Sequence, residues 1–264
     1  MPLAGEGEEQ TVPEFPPLID LSIPLPKSRF IPVPHVRQSY AWDCGLACVL
    51  MVLRALGFTG VNLKTLRQMC PTMSVWSVDL AHLLRRFGVD VQLLTVTIGA
   101  NPGFADEKFY KENMADDVDR VNRLFENAGR AGISIQCRSI SSDVFRSLVL
   151  CGRYIVIALI DKKWFRSLGW THEFCFPDCF GLSSGYTGHY IVVCGYDHDR
   201  DEYEIRDPSS SSEVQRVSTG ALEAARRSYG TDEDLLLISY ALEEDEESLG
   251  RGRSRLETST TAVR

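Results

Sequence analysis

The chain has 264 residues, with 28 Lys and Arg against 36 Asp and Glu, giving a formal net charge of −8 and a pI near 5.2. Hydrophobic residues are 44% and charged residues 24%, enough apolar sequence for a core and too much for disorder throughout. The acidic balance argues against nucleic acid and anionic membranes as partners, since both select a basic face, and no apolar run reaches the roughly 18–20 residues of a membrane span.

In chain order, residues 1–28 carry Pro13, Pro16, Pro17, Pro24 and Pro26 beside an acidic cluster and read as a disordered lead. The lead lacks the basic-then-apolar pattern of a signal peptide. The expected compartment is therefore the cytoplasm, with the nucleus as a second one, and most of the eight cysteines are expected as thiols rather than as four disulfides. A short strand is expected at 29–33. A helix follows at 44–56, with Leu46, Val49, Leu50 and Leu53 at helical spacing and Gly57 beyond its end. Further helices are expected at 62–69, capped by Asn62, and at 77–87, capped by Ser77 and stopped by Gly88. A strand at 89–97 precedes two amphipathic helices at 106–113 and 116–131, both with acidic first turns. Then come a strand at 133–137, a helix at 143–150 capped by Ser141 or Ser142, and a buried strand at 154–160. Residues 162–188 read as a long irregular stretch. Strands at 189–196 and 202–206 pair around a turn at 197–201, followed by a helix at 219–228 and a last strand at 234–240. From 243 to 264 the acidic and basic blocks have no apolar periodicity and read as a disordered charged tail. The folded body is then 29–242. Its helix-rich first half and strand-rich second half predict an α+β fold, a helical lobe against an antiparallel sheet.

The segment Gln38-Ser39-Tyr40-Ala41-Trp42-Asp43-Cys44-Gly45-Leu46-Ala47-Cys48 carries chemistry. Cys44 stands where a helix begins, and unpaired N–H groups and the macrodipole there favour a thiolate, the form that attacks a carbonyl. Gly45 leaves room for a substrate. Gln38, six positions upstream, is placed to return its amide to the same pocket, where with the Cys44 N–H it would form an oxyanion hole. Alone, Cys44 reads equally as a buried cysteine opening a core helix. A second segment adds His189 at the head of a strand and Asp207, before Pro208, at the end of the next. Such a hairpin brings an acid beside an imidazole, the arrangement that deprotonates a thiol. Cys44, His189 and Asp207 are thus the candidate triad, and Gln38 the candidate oxyanion donor.

The order Gln-x5-Cys-Gly, a strand-borne Gly-His-Tyr, then a strand-ending Asp-Pro resembles the papain-like cysteine peptidases, in particular the bacteriocin-leader-processing branch and its bacterial relatives. The resemblance implies a papain-like fold for the α+β body. A second resemblance covers about 29–238. It rests on Trp42-Asp43-Cys44-Gly45-Leu46-Ala47-Cys48, Ser74-Val75-Trp76-Ser77-Val78-Asp79-Leu80-Ala81, Gly188-His189-Tyr190-Ile191-Val192-Val193 and Ser228-Tyr229-Gly230-Thr231-Asp232-Glu233-Asp234. These resemble the eukaryotic guanylyl cyclase domain-containing protein family, the plant-type proteins among them. That family name implies conversion of GTP to cyclic GMP, whereas the residues imply a cysteine hydrolase.

A cyclase needs Mg²⁺ or Mn²⁺ on carboxylates and a basic group for the triphosphate. No phosphate loop of the P-loop kind is present. Asp116, Asp117 and Asp119 open a helix, and Asp197, Asp199 and Asp201 fill a turn; both sets read as surface chemistry. His172, Cys175 and Cys179 have ligand-like spacing without an evident fourth ligand, so no metal is assigned. Cys48, one turn after Cys44, reads as packed inward, with a resolving thiol as the other role. Trp76 and Asp79 read as core packing and capping, and Arg226, Arg227 and Tyr229 as a solvated face. The leading expectation is hydrolysis of a peptide, isopeptide or amide bond in a peptide or protein substrate, through a thioester and without a cofactor. The alternatives are a guanylate cyclase acting on GTP with Mg²⁺ or Mn²⁺, and a non-catalytic interaction module on the same fold. Drift into the last would not need to keep all four residue types.

Overall fold

The structure, a computed structural model, describes residues 18–19, 22, 24–101, 114–166 and 186–240. The helix expected at 106–113, the cysteine loop with His172, Cys175 and Cys179, and the tail at 243–264 lie outside the described residues, as does most of the lead.

The elements run β1 (Ser28–Phe30), α1 (Cys44–Ala55), α2 (Leu63–Met69), α3 (Ser77–Arg86), β2 (Val91–Thr95), α4 (Met114–Asn127), β3 (Ser134–Cys137) and α5 (Ser142–Leu150). They continue with β4 (Tyr154–Asp161), α6 (Lys163–Arg166), β5 (Gly188–Asp197), β6 (Glu202–Arg206), β7 (Gln215–Ser218), α7 (Thr219–Arg226) and β8 (Leu235–Ser239). One sheet holds the strands in the order β3-β2-β8-β4-β5-β6-β7, and β1 pairs with β5. The fold is α+β, as expected.

The central strands β4, β5 and β8 are unbroken apolar runs because helices cover both faces of the sheet. Ile155, Ile157, Leu159, Tyr190, Val192, Leu236 and Ile238 join the cluster under α1 and α3. The alternate residues Val156, Ala158, Ile160, Ile191, Val193, Leu235 and Leu237 join a second cluster with Phe145 and Leu148 of α5 and Leu222 of α7. Helix α1 is buried from Cys44 to Leu53, so it is apolar all round, as an interior helix must be. It is stopped by Gly57, whose φ of 83° is the left-handed conformation that glycine adopts without strain.

Caps follow the sequence in two cases. Asn62 accepts from the Thr65 N–H at 3.0 Å and Ser141 from Val144 at 3.3 Å. The third differs: Trp76, not Ser77, caps α3. Asp79 reaches back to accept the Trp76 N–H at 2.9 Å, which frees the Ser77 hydroxyl for another partner.

Four details differ from the sequence expectation. The sheet is not wholly antiparallel, because β2 and β3 are parallel; helix α4 carries the chain back to start β3 in the same direction. Strand β7 has only Val217 buried, too little pattern to read, and exists by pairing with β6. Arg226 is fully buried rather than solvated. Its guanidinium grips Glu223 at 2.6 and 2.7 Å, donates to the Ile140 carbonyl at 2.9 Å and lies 5.3 Å from the Phe145 ring centre. Ile19 is buried, and Leu18 and Leu25 pack beside it on the second cluster, inside the stretch expected as a lead. Among the described residues no helix is long and apolar enough to cross a membrane.

Candidate active site

Antiparallel pairing puts the start of β5, the end of β6, the end of β4 and the start of β8 at one end of the sheet. Helix α1 begins at the same end, with Cys44 as its first residue and only 6% exposed. The preceding Asp43 is fully buried. Its carboxylate accepts the N–H groups of Ser39 at 3.1 Å and Tyr40 at 2.8 Å, and pairs with Arg67 at 3.3 Å. These bonds fold the 38–43 loop against the helix start. Tyr40 stacks on Trp42 at 6.0 Å, and Arg67 lies 4.9 Å over the Tyr40 ring.

His189 and Asp207 meet as the hairpin predicts. His189 Nε2 donates to Asp207 Oδ1 at 2.7 Å, and both residues are buried. Asp207 Oδ1 also accepts the Ser209 N–H and hydroxyl, each at 2.8 Å. With Nε2 at the carboxylate, Nδ1 is the ring nitrogen left for the Cys44 sulfur, and the two side chains are near enough for each to shift the other's protonation.

The electrostatics follow from these contacts. Burial pushes the Cys44 thiol up, but the neighbouring His189 ring and its charge, and the N–H groups of Tyr190 and Gly45, outweigh it, so the thiol lies below its ordinary range. Burial and then the Lys162 charge push His189 down; Asp207 and Cys44 outweigh both, and the imidazole is raised. Burial opposes ionisation of Asp207, yet His189, Lys162 and Ser209 hold it well below the usual carboxylate range. The other core thiols go the opposite way. Burial pushes Cys70 and Cys194 up to about 12 and Cys48 well up. Cys48 is fully buried, packed inward as expected.

Gln38 lies beside the acid. Its backbone N–H donates to the Pro208 carbonyl at 2.9 Å, and its side-chain Nε2 to the Tyr40 carbonyl at 2.7 Å. One of its two amide hydrogens is thus taken by the loop.

A second polar chain lies behind the sulfur. Tyr190, whose N–H meets Cys44, shares a hydrogen bond with Ser77 Oγ at 3.0 Å. Ser77 and Thr95 lie beside the half-buried Asp234, whose Oδ1 is shut off from solvent without a hydrogen-bond partner, and burial pushes its carboxyl up to about 8. The sequence reading missed Asp43, Lys162, Ser209 and Asp234. Two signals were present: an acid directly before the cysteine, and an acid ending a polar run directly before an apolar strand.

Among the described residues no group of three or more His, Cys, Asp or Glu side chains is placed to hold a metal ion. Asp117 is buried rather than on the surface, and is taken by Trp76 Nε1 at 3.0 Å and Arg120 at 2.7 Å. Asp201 is taken by the Tyr196 and Thr219 hydroxyls at 2.7 and 2.5 Å. These carboxylates do not form a set that fits a divalent ion.

Comparison with known proteins gives two kinds of likeness. The guanylylate cyclase family model matches residues 33–238. Guanylyl cyclase 1 of Arabidopsis thaliana is 52% identical over 215 residues, 81% of this chain and 78% of that protein. Among solved structures, one described as a C39-like peptidase from Bacillus anthracis matches with a TM-score of 0.46 at 15% identity, covering 79% of this chain and 95% of that one. The peptidase domain of Streptococcus ComA matches with a TM-score of 0.40 at 13% identity, covering 79% and 99%. These structural likenesses are loose, and the site stands on its own geometry.

Proposed function

The chain belongs to the guanylylate cyclase family, and we propose that it acts as a cysteine hydrolase, cleaving a peptide, isopeptide or amide bond through a thioester on Cys44. The observation that carries this reading is the 2.7 Å bond from His189 Nε2 to Asp207, which leaves Nδ1 for the nearby Cys44 at the start of α1.

The steps follow from that placement. The Cys44 thiolate attacks the substrate carbonyl carbon, forming a C–S bond and moving an electron pair to oxygen. The Cys44 N–H is a donor for this oxyanion, and Gln38 supplies a second from its free amide hydrogen. The C–N bond then breaks, and the leaving amine takes the proton from His189 Nδ1. Water enters, His189 takes its proton, and the resulting hydroxide attacks the thioester. Collapse releases the acid and restores the thiolate. Asp207 keeps its charge throughout, orienting the ring and stabilising the imidazolium.

Family membership favours a second reading, cyclisation of GTP to cyclic GMP with Mg²⁺ or Mn²⁺. The carboxylates above do not fit that metal, so no step is derived through it. One experiment separates the two. Wild type and Cys44→Ala are each given GTP with Mn²⁺ and, separately, a carbonyl-electrophile probe. The hydrolase reading expects probe labelling of wild type alone and no cyclic GMP from either. Metal-dependent cyclic GMP from both, without labelling, would favour the cyclase.

A further inference from the structure

Lys162 lies at the Cys44–His189–Asp207 site and takes no part in the steps above. It follows β4 directly, and its N–H donates to the Thr187 carbonyl at 2.9 Å, which pins it beside the start of the His189 strand. Its ammonium donates to Ser209 Oγ at 2.8 Å, and that hydroxyl donates onward to Asp207 at 2.8 Å. Among the described residues Lys162 forms no ion pair, whereas the adjacent Lys163 pairs with Asp161 at 2.7 Å.

The position carries a cost. His189 becomes a cation in the reaction, and a second cation close to it opposes that charge. The chain is acidic overall, with 36 acidic against 28 basic residues, so an unpaired lysine here is not background. The cost disappears when an anion arrives beside it. A lysine is suited to receiving one, because its flexible stem carries three donors, of which Ser209 uses one.

We propose that Lys162 receives a substrate carboxylate on the leaving-group side of the scissile bond. This rests on the cysteine-hydrolase reading. His189 hands its proton to the leaving amine, so the leaving residue sits on the imidazole side, and Lys162 is tied to that side by its bond to Ser209, which bonds the Asp207 carboxylate that holds the ring. The substrate class is therefore a peptide whose leaving residue bears a carboxylate, either its own free C-terminus or an Asp or Glu side chain. Binding such a group also cancels the Lys162 charge felt by His189 and so favours the thiolate–imidazolium pair further when the right substrate is present.

The test uses N-acetylated randomised tetrapeptide pools ending in one fixed leaving residue, which is glycine with a free carboxylate, glycine amide, glutamate amide or glutamine amide. Release of that residue is followed by mass spectrometry for wild type, Cys44→Ala, Lys162→Gln and Lys162→Arg. The expected result is at least tenfold faster release from a carboxylate pool than from its neutral partner. That ratio should fall toward one in Lys162→Gln and be largely kept in Lys162→Arg. A preference within the glycine pair alone identifies a C-terminal carboxylate, and one within the glutamate pair alone identifies a side chain. Equal, Cys44-dependent release from all four pools, or an unchanged ratio in Lys162→Gln, overturns the role of Lys162 and leaves the hydrolase intact. No release from any pool by wild type overturns both.

Discussion

Asp207 accepts the His189 Nε2 proton at 2.7 Å across the β5–β6 hairpin, and this bond decides which ring nitrogen faces Cys44. Replacing Asp207 by Asn keeps the shape and an acceptor for Ser209 but removes the charge that holds His189 raised. The imidazolium becomes less stable and the Cys44 thiol rises with it. Alkylation of Cys44 at neutral pH should fall on the order of tenfold or more, since each pKa unit is a factor of ten in thiolate. Timed iodoacetamide labelling, with melting curves as a control for folding, checks this. An unchanged rate would mean that Asp207 does not tune the sulfur.

Asp234 gives a pH dependence of known sign. Its carboxyl keeps its proton to about pH 8 in the folded chain, while an unfolded aspartate releases it near roughly 3.9. Between these values the folded state binds more protons, so this group makes stability fall as pH rises through the window. Asp234→Asn cannot titrate. The variant should lose that part of the slope and be more stable than wild type at pH 8, by on the order of a few kcal/mol. Denaturant unfolding of both proteins at pH 5 and pH 8 measures it. Parallel slopes would contradict the assignment.

Gly45 follows the nucleophile, and a β-carbon there would lie 2.9 Å from Leu80 Cδ1 and 3.0 Å from Tyr190 Cδ2. The Tyr190 ring cannot retreat freely, because Ser77 holds its hydroxyl at 3.0 Å. Gly45→Ala should cost about 1–3 kcal/mol by overpacking and lower Cys44 reactivity as Tyr190 shifts. Gly220, in α7, has open space at the same point. Gly220→Ala should be neutral or stabilising by about 0.5–1 kcal/mol. Equal effects at the two sites would count against a tight fit behind the sulfur.

Local pattern made much of this legible. The apolar spacing of α1, the Asn62 cap and the run of β4 are short-range features, and each appears where the residues placed it. His189 and Asp207 were legible because a hairpin is local, and Cys44 because a helix start has its own electrostatics. Long-range pairing was not. Nothing local tells that β2 and β3 run parallel, that Arg226 turns inward over Phe145, or that Lys162 and Ser209, 47 positions apart, meet at 2.8 Å. Ser77 misled for the same reason. Its sequence position suits a cap, but Asp79 takes that role and Ser77 bonds Tyr190, 113 positions away.

The thiolate–imidazolium pair is tested most directly by mapping iodoacetamide labelling of every cysteine by mass spectrometry between pH 5 and pH 10, in wild type and His189→Ala. Cys44 is held below its ordinary range by His189, while Cys48, Cys70 and Cys194 are pushed above theirs by burial. Wild type should label at Cys44 first, ahead of the exposed Cys137, with a rate that has already levelled off below pH 9. In His189→Ala burial is no longer offset, and labelling of Cys44 should be slow until well above pH 9. A Cys44 that labels no faster than the other cysteines, or identically with and without His189, would contradict the proposed nucleophile.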